Sequence, residues 1–174
     1  MATSRAIALA FAFIVVATLS TRAQERPTLT ASMKSGYDQV KDFVTAAARQ
    51  LPDALLSFKA APEIRSMGQE FGHMANTSYM LCGAVSGQSQ PAADYEKATS
   101  KAELEAALAS SFAFCDAAWA SVTDANASAP AAFLGRPSTT LAVLAVNTAH
   151  LNEHYGKIVT EMRIKGLVPP SSAR

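Results

Sequence analysis

The hydrophobic positions of this chain recur every three or four residues over most of its length, as they do on one face of a helix. Four such stretches stand apart, at about residues 30–51, 64–82, 101–122 and 139–165. No stretch shows sustained alternation of apolar and polar residues, so no strand is predicted. Four amphipathic helices without strands predict an all-α protein, a four-helix bundle with a single core.

Residues that start or stop helices mark the ends of these stretches. Pro52 stops the first helix, because proline lacks the amide proton that a helix interior needs. Gly83 and Gly166 are predicted to end the second and fourth helices. Ser100 and Glu103 have the spacing of a capping box, in which each side chain bonds to the other residue's backbone amide. The third helix therefore begins directly after Ser100.

Two connections are unusually long. Residues 83–99 join the second and third helices with about 17 residues, whereas two to eight are usual between antiparallel neighbours in a bundle. A long crossover can return the chain so that helices two and three run parallel. Residues 126–137 form the other long connection and are predicted to be an irregular loop.

The N-terminal residues have the pattern of a secretory signal peptide. Arg5 precedes an uncharged apolar run at 6–19, and Thr21 and Ala23 are small residues at the positions that a signal peptidase reads, so cleavage is predicted after Ala23. The run is short for a membrane span, which needs about 20 apolar residues; an uncleaved anchor is the alternative. The expected localisation is secreted or periplasmic. The predicted division is 1–23 signal peptide, 24–29 N-terminal segment, 30–168 helical bundle and 169–174 C-terminal tail.

Composition narrows the range of partners. Hydrophobic residues make up 49% of the chain and charged residues 17%, which argues against a disordered protein. The net charge of +1 becomes −1 once a signal peptide with two arginines is removed. Such a chain has no basic surface for nucleic acid, and no second membrane segment follows the first. The expected partner is a small-molecule substrate.

Two cysteines remain after the predicted cleavage, Cys82 and Cys115. Export makes a disulfide permissible. If helices two and three are parallel, the two residues come at similar heights, which favours a bridge. Two buried free thiols are the alternative, since cysteine packs like a small apolar residue.

The chain contains only three histidines, and all fall within predicted helices. His150 and His154 are four residues apart, so both imidazoles leave the same helix face. This spacing is used when one helix gives a metal two nitrogen ligands. His73 lies in the middle of the second helix. A single helical histidine is more often a surface or hydrogen-bonded core residue, but three imidazoles with an open position are typical of a catalytic metal site.

Polar neighbours of the histidines are candidates for supporting roles. Glu70 lies one turn before His73, so it is a candidate fourth ligand, hydrogen-bond acceptor or base, or else a solvated charge. Asn76 and Asn147 each stand one turn from a histidine and are candidates to orient an imidazole, or to form local hydrogen bonds. Glu153 points about 100° away from its neighbour His154 and is expected to face solvent.

Three stretches carry a resemblance to a known family. They are MGQEFGHMA at 67–75, HLNEHYG at 150–156 and MRIKGLVPP at 162–170. In this order, with a long connection between the first two, they resemble the DinB/YfiT superfamily of metalloenzymes. The likeness covers about residues 28–171.

The resemblance implies a four-helix bundle of DinB/YfiT type, with a long crossover between helices two and three. It implies a divalent metal ion, most often nickel or zinc, bound by His73, His150 and His154. Many relatives continue after the last histidine with R-G-Q, whereas this chain has Tyr155-Gly156-Lys157, so no role of that arginine or glutamine carries over.

Members of this superfamily include thiol-dependent transferases and isomerases, and they often form dimers. The expected function is therefore an exported metal-dependent hydrolase or transferase, with a homodimer as a further expectation. The alternative is a non-catalytic metal-binding or stress-related helical module.

Overall fold

A computed structural model describes residues 26–173. The predicted signal peptide lies outside these residues. The all-α prediction is confirmed, and no helix within 26–173 combines the length and hydropathy that a membrane crossing requires. The main elements are α1 Leu29–Gln50, α2 Met67–Ser86, α3 Lys101–Ser121, strands β1 Pro130–Phe133 and β2 Arg136–Thr139, and α4 Thr140–Ile164.

The second helix begins and ends later than its sequence pattern predicts. The Ser66 hydroxyl accepts a hydrogen bond from the Gln69 amide, and the Gln69 side-chain oxygen accepts one from the Ser66 amide, so a capping box fixes the start at Met67. Gly83 lies inside the helix and not at its end. A side chain at this position would meet the Gln88 carbonyl oxygen at 2.8 Å, so glycine is needed for close packing there. The helix ends at Gly87, whose φ of 70° is left-handed.

The long crossover makes α2 and α3 parallel. Leu104 lies against Gly68 near the start of both helices, and Cys82 is disulfide-bonded to Cys115 further along. By contrast, α3 runs antiparallel to α1, since the Lys101 ammonium reaches the carbonyl of Arg49 at the far end of that helix. The helices pack in the order α1, α3, α2, α4 around the core, with α4 also against α1.

The predicted irregular loop at 126–137 contains a β-hairpin, so the expectation of no strands was wrong. The strands β1 and β2 pair antiparallel around a turn at Leu134 and Gly135. Both turn residues have positive φ, 48° and 75°, as a tight hairpin turn requires. Four-residue strands are too short to show alternation, and leucine is not a usual turn residue.

The core is aliphatic and aromatic on the α1–α3 side and partly polar between α2 and α4. Tyr37 and Trp119 are fully buried and their rings lie 5.7 Å apart. Between α2 and α4 the buried residues include the polar side chains Glu70, Ser78, Asn147 and His154. Because buried polar groups must find partners, this interface is where a functional site is expected.

Candidate metal centre

The three histidines form one cluster between α2 and α4. His73 comes from the middle of α2, and His150 and His154 come from successive turns of α4. One nitrogen from each ring can be chosen so that all three lie within 4.8 Å of one another. The Nε2 atoms of His73 and His150 are 3.1 Å apart. The antiparallel packing of α2 on α4 thus brings together His73 and His150, which are 77 positions apart in the chain.

A carboxylate fixes His73 from outside the cluster. The Nδ1 atom of His73 lies 2.8 Å from Glu96 Oε1, and the other Glu96 oxygen accepts from Arg65 Nε at 3.0 Å. With its proton on Nδ1, His73 presents a bare Nε2 to the cluster. Burial is the main cause that lowers the pKa of His73, and the hydrogen bond to Glu96 opposes it.

A second carboxylate fixes His154 in the same way. Glu70 Oε2 lies 2.5 Å from His154 Nδ1, and both side chains are at least 95% buried. Burial favours the neutral acid, but the hydrogen bond and charge of His154, with smaller help from Lys157, hold the pKa of Glu70 below its usual value. Glu70 is therefore an ionised acceptor, and the Nε2 atom of His154 is free for a ligand.

The third histidine has a buried nitrogen without a partner. His150 Nδ1 makes no hydrogen bond to the described residues. Burial lowers the pKa of His150 to about 4, and the neighbouring His154 and His73 add to this effect. The ring is therefore neutral at pH 7, the form that ligates metal ions.

These residues fit a divalent metal ion. Two nitrogens facing each other at 3.1 Å can share at most one proton, and zinc with bonds of roughly 2.0–2.1 Å separates tetrahedral ligands by about 3.3 Å. The pattern in which a carboxylate holds the far nitrogen of a ligating imidazole occurs twice, at Glu96–His73 and Glu70–His154. Three imidazole ligands suit zinc or nickel better than calcium or magnesium, which prefer oxygen ligands.

The two asparagines singled out from the sequence make no hydrogen bond to these imidazoles. Asn76 donates to Asp94 and accepts from the amide of Tyr95, so it holds the connection between α2 and α3. Asn147 is fully buried, and its amide nitrogen points at the disulfide. Helix periodicity gives the face on which a side chain lies, but not which neighbour it meets.

The disulfide between Cys82 and Cys115 is confirmed, with the Cα atoms 5.2 Å apart. It joins α2 to α3, and Asn147 of α4 lies 3.7 and 3.5 Å from the two sulfurs. Ser78 donates to the Asn147 carbonyl oxygen at 3.4 Å. We call these four residues the disulfide layer; it lies next to the histidine cluster along α2 and α4.

Glu96 and Arg65 are the residues that sequence reasoning missed. Glu96 lies in the connection, within a short 3₁₀ turn at Tyr95–Lys97, where no helical period relates it to His73. Arg65 lies just before α2 and pairs with Glu96. Only the folding of the connection back onto α2 brings these charges to the cluster.

Fold and site together define a four-helix bundle with a three-histidine cluster positioned to hold a metal ion. The sequence pattern of the DinB superfamily matches residues 37–158. The chain therefore belongs to the DinB superfamily.

Solved structures share this fold. A DinB-like protein from Bacillus cereus is 22% identical with a TM-score of 0.68, covering 79% of this chain and 93% of that one. A conserved protein from Enterococcus faecalis is 16% identical with a TM-score of 0.64, covering 80% and 98%. A search of curated proteins found no significant match.

Proposed function

We propose that this protein is an exported metalloprotein that binds one zinc or nickel ion through His73, His150 and His154, and uses it as a hydrolase or transferase. The observation that carries the proposal is the pair of Nε2 atoms 3.1 Å apart, beside a third imidazole whose outer nitrogen is held by a carboxylate. Export is supported by the apolar N-terminal run and by the disulfide.

The protein's own residues prepare the site for this chemistry. Glu96 and Glu70 hold protons at the Nδ1 atoms of His73 and His154, so both rings keep one orientation. Lys157 Nζ lies 3.4 Å from His154 Nδ1 and also pairs with Glu153, which adds positive charge beside Glu70. A divalent ion held there supplies Lewis acidity for a hydrolytic or thiol-transfer reaction.

Metal content and its dependence on one histidine test the proposal. Protein purified without chelator is expected to carry about one zinc or nickel ion per chain, measured by elemental analysis. In His150→Ala the metal is lost, and zinc affinity measured by calorimetry falls by more than about 100-fold. Asn152→Ala, an exposed change on the same helix, should keep the metal.

Stability separates a lost ligand from a damaged fold. The metal-free His150→Ala variant should melt no lower than the metal-free parent, because the substitution removes a buried nitrogen that has no partner. Two results would contradict the proposal: parent protein that carries no metal when it is purified without chelator, or a His150→Ala variant that keeps its full metal content.

Catalysis is tested with the metal-loaded protein. A screen of ester, amide and thiol-conjugate substrates should find turnover that disappears in His73→Ala. Stoichiometric metal without turnover on any of these classes would instead support the non-catalytic metal-binding module.

A further inference from the structure

A cavity borders the histidine cluster on the side of His73. It has a volume of about 430 Å³ and lies between α2 and residues 90–95 of the α2–α3 connection. The α2 wall includes His73, Thr77 and Met80, which follow one another along a single helix face. A molecule in this cavity would therefore touch a residue of the proposed metal site.

The connection that covers this cavity is fixed to α2 by its backbone. A side chain on Gly72 would lie 2.2 Å from the carbonyl oxygen of Tyr95, so only glycine permits this approach. The Tyr95 amide donates to Asn76, and its ring stacks on Tyr79 at 6.0 Å. Glu96, the next residue, holds His73. The wall of the cavity and the orientation of a metal-ligating imidazole thus depend on the same short turn.

The residues that line the cavity offer almost no charged side chain that is free to pair with a charged ligand. Apolar lining is given by Met80, Pro91 and the two alanines that follow. Met80 is 39% exposed, one of the few large apolar side chains open to solvent among residues 26–173. Among the described lining residues Asp94 alone is charged, and its carboxylate is already bound by Asn76 Nδ2 at 3.0 Å and Lys97 Nζ at 3.3 Å.

We infer that this cavity is the substrate pocket of the metal site and that it accepts an uncharged small molecule with an apolar body. The inference rests on the proposed function for its chemistry, because His73 is the point at which the substrate would meet the metal. Among the described lining side chains an anion would find no free cation, so away from the metal its charge would be unpaired against Met80 and Pro91, which is unfavourable. The volume lies within the ordinary range for small-molecule sites.

A matched pair of fluorescent probes tests the inference directly. N-Phenyl-1-naphthylamine is neutral, and 8-anilino-1-naphthalenesulfonate has the same aromatic body with a sulfonate added. Titration of the full chain with the metal removed by chelator should show tighter binding of the neutral probe, by roughly tenfold. Met80→Lys should weaken binding of the neutral probe by a similar factor, and it should narrow or reverse the preference for the neutral probe over the sulfonate. Ile164→Lys, a change at another exposed apolar residue outside the cavity, should leave both affinities unchanged.

Equal or tighter binding of the sulfonate by the parent protein would overturn the inference, as would equal effects of the two lysine substitutions. Metal loading gives a separate readout. Cobalt-loaded protein should quench the neutral probe more than zinc-loaded protein, since the cavity adjoins His73. Probe binding that depends on Met80 in a protein that binds no metal would contradict the proposed function but leave the pocket in place. Metal binding without Met80-dependent probe binding would contradict the pocket alone.

Discussion

The interface between α2 and α4 contains two groups of polar residues, the disulfide layer and the histidine cluster. They differ in how completely the polar atoms within each group find hydrogen-bond partners. In the disulfide layer, Asn147 meets both sulfurs and Ser78, and none of these side chains has an orphaned buried nitrogen or oxygen. In the histidine cluster, His150 Nδ1 has no partner among the described residues, and two ring nitrogens face each other. Buried polar residues whose atoms all have hydrogen-bond partners stabilise the fold, whereas buried polar residues with unpaired atoms are suited to bind a ligand.

Removing the disulfide is expected to have the largest effect on stability. A Cys82→Ala/Cys115→Ala double variant should lose about 2–5 kcal/mol of unfolding free energy, because the bridge no longer restricts the unfolded chain. Chemical denaturation followed by circular dichroism measures this loss. Zinc affinity of the folded variant should stay within about threefold of the parent value, since the sulfurs hydrogen-bond to Ser78 and Asn147 and, among the described residues, to no imidazole. A loss of zinc affinity as large as that of His150→Ala would show that the two groups are not independent.

Removing the carboxylate that holds His73 should affect the cluster and spare the disulfide layer. In Glu96→Ala the imidazole of His73 loses its outer partner, so zinc affinity measured by calorimetry should fall by about 10- to 100-fold. Glu105→Ala is the matched control, because Glu105 is a carboxylate of α3 whose one ion-pair partner among residues 26–173 is Lys101, at 3.8 Å. Indistinguishable zinc affinities for the two variants would mean that Glu96 does not support the site.

A buried carboxyl on α4 tests whether an orphaned atom alone marks a ligand site. Glu161 is 2% exposed; its Oε1 accepts from the Ala60 amide, and its Oε2 has no partner among the described residues. Unlike His150, it belongs to no described group of potential metal ligands. Glu161→Gln should therefore leave zinc affinity unchanged, and a large fall in affinity would refute this distinction.

The effect of Glu161→Gln on stability should depend on pH. Burial raises the pKa of Glu161, against the opposing hydrogen bond from Ala60. A pKa that is higher in the folded state gives stability at low pH that is lost as the pH rises through the folded pKa. The melting temperature of the variant relative to the parent, with chelator present, should therefore increase between pH 4 and pH 8. A difference that stays constant over this range would contradict the raised pKa.

Much of the fold could be predicted because its signals are local. The helical periods and the Ser100 capping box place four helices, and the length of the connection between the second and third indicated a crossover. The hairpin at 130–139 was missed because its strands are only four residues long and because its turn places leucine, an unusual turn residue, before Gly135. The start of α2 was misplaced by three residues, although Ser66 and Gln69 have the spacing of a capping box.

The sequence by itself determined the helices, the family and three histidines on two helices with one pair four residues apart. Periodicity is a property of one helix, so it relates only residues within a few turns of each other. Tertiary structure decided which polar side chains meet. It brought His73 to His150, took Asn147 to the disulfide, and folded Glu96 from the connection onto His73. These contacts join residues between 23 and 77 positions apart, and they follow from the packing of α2, α4 and the crossover, which no single helix encodes.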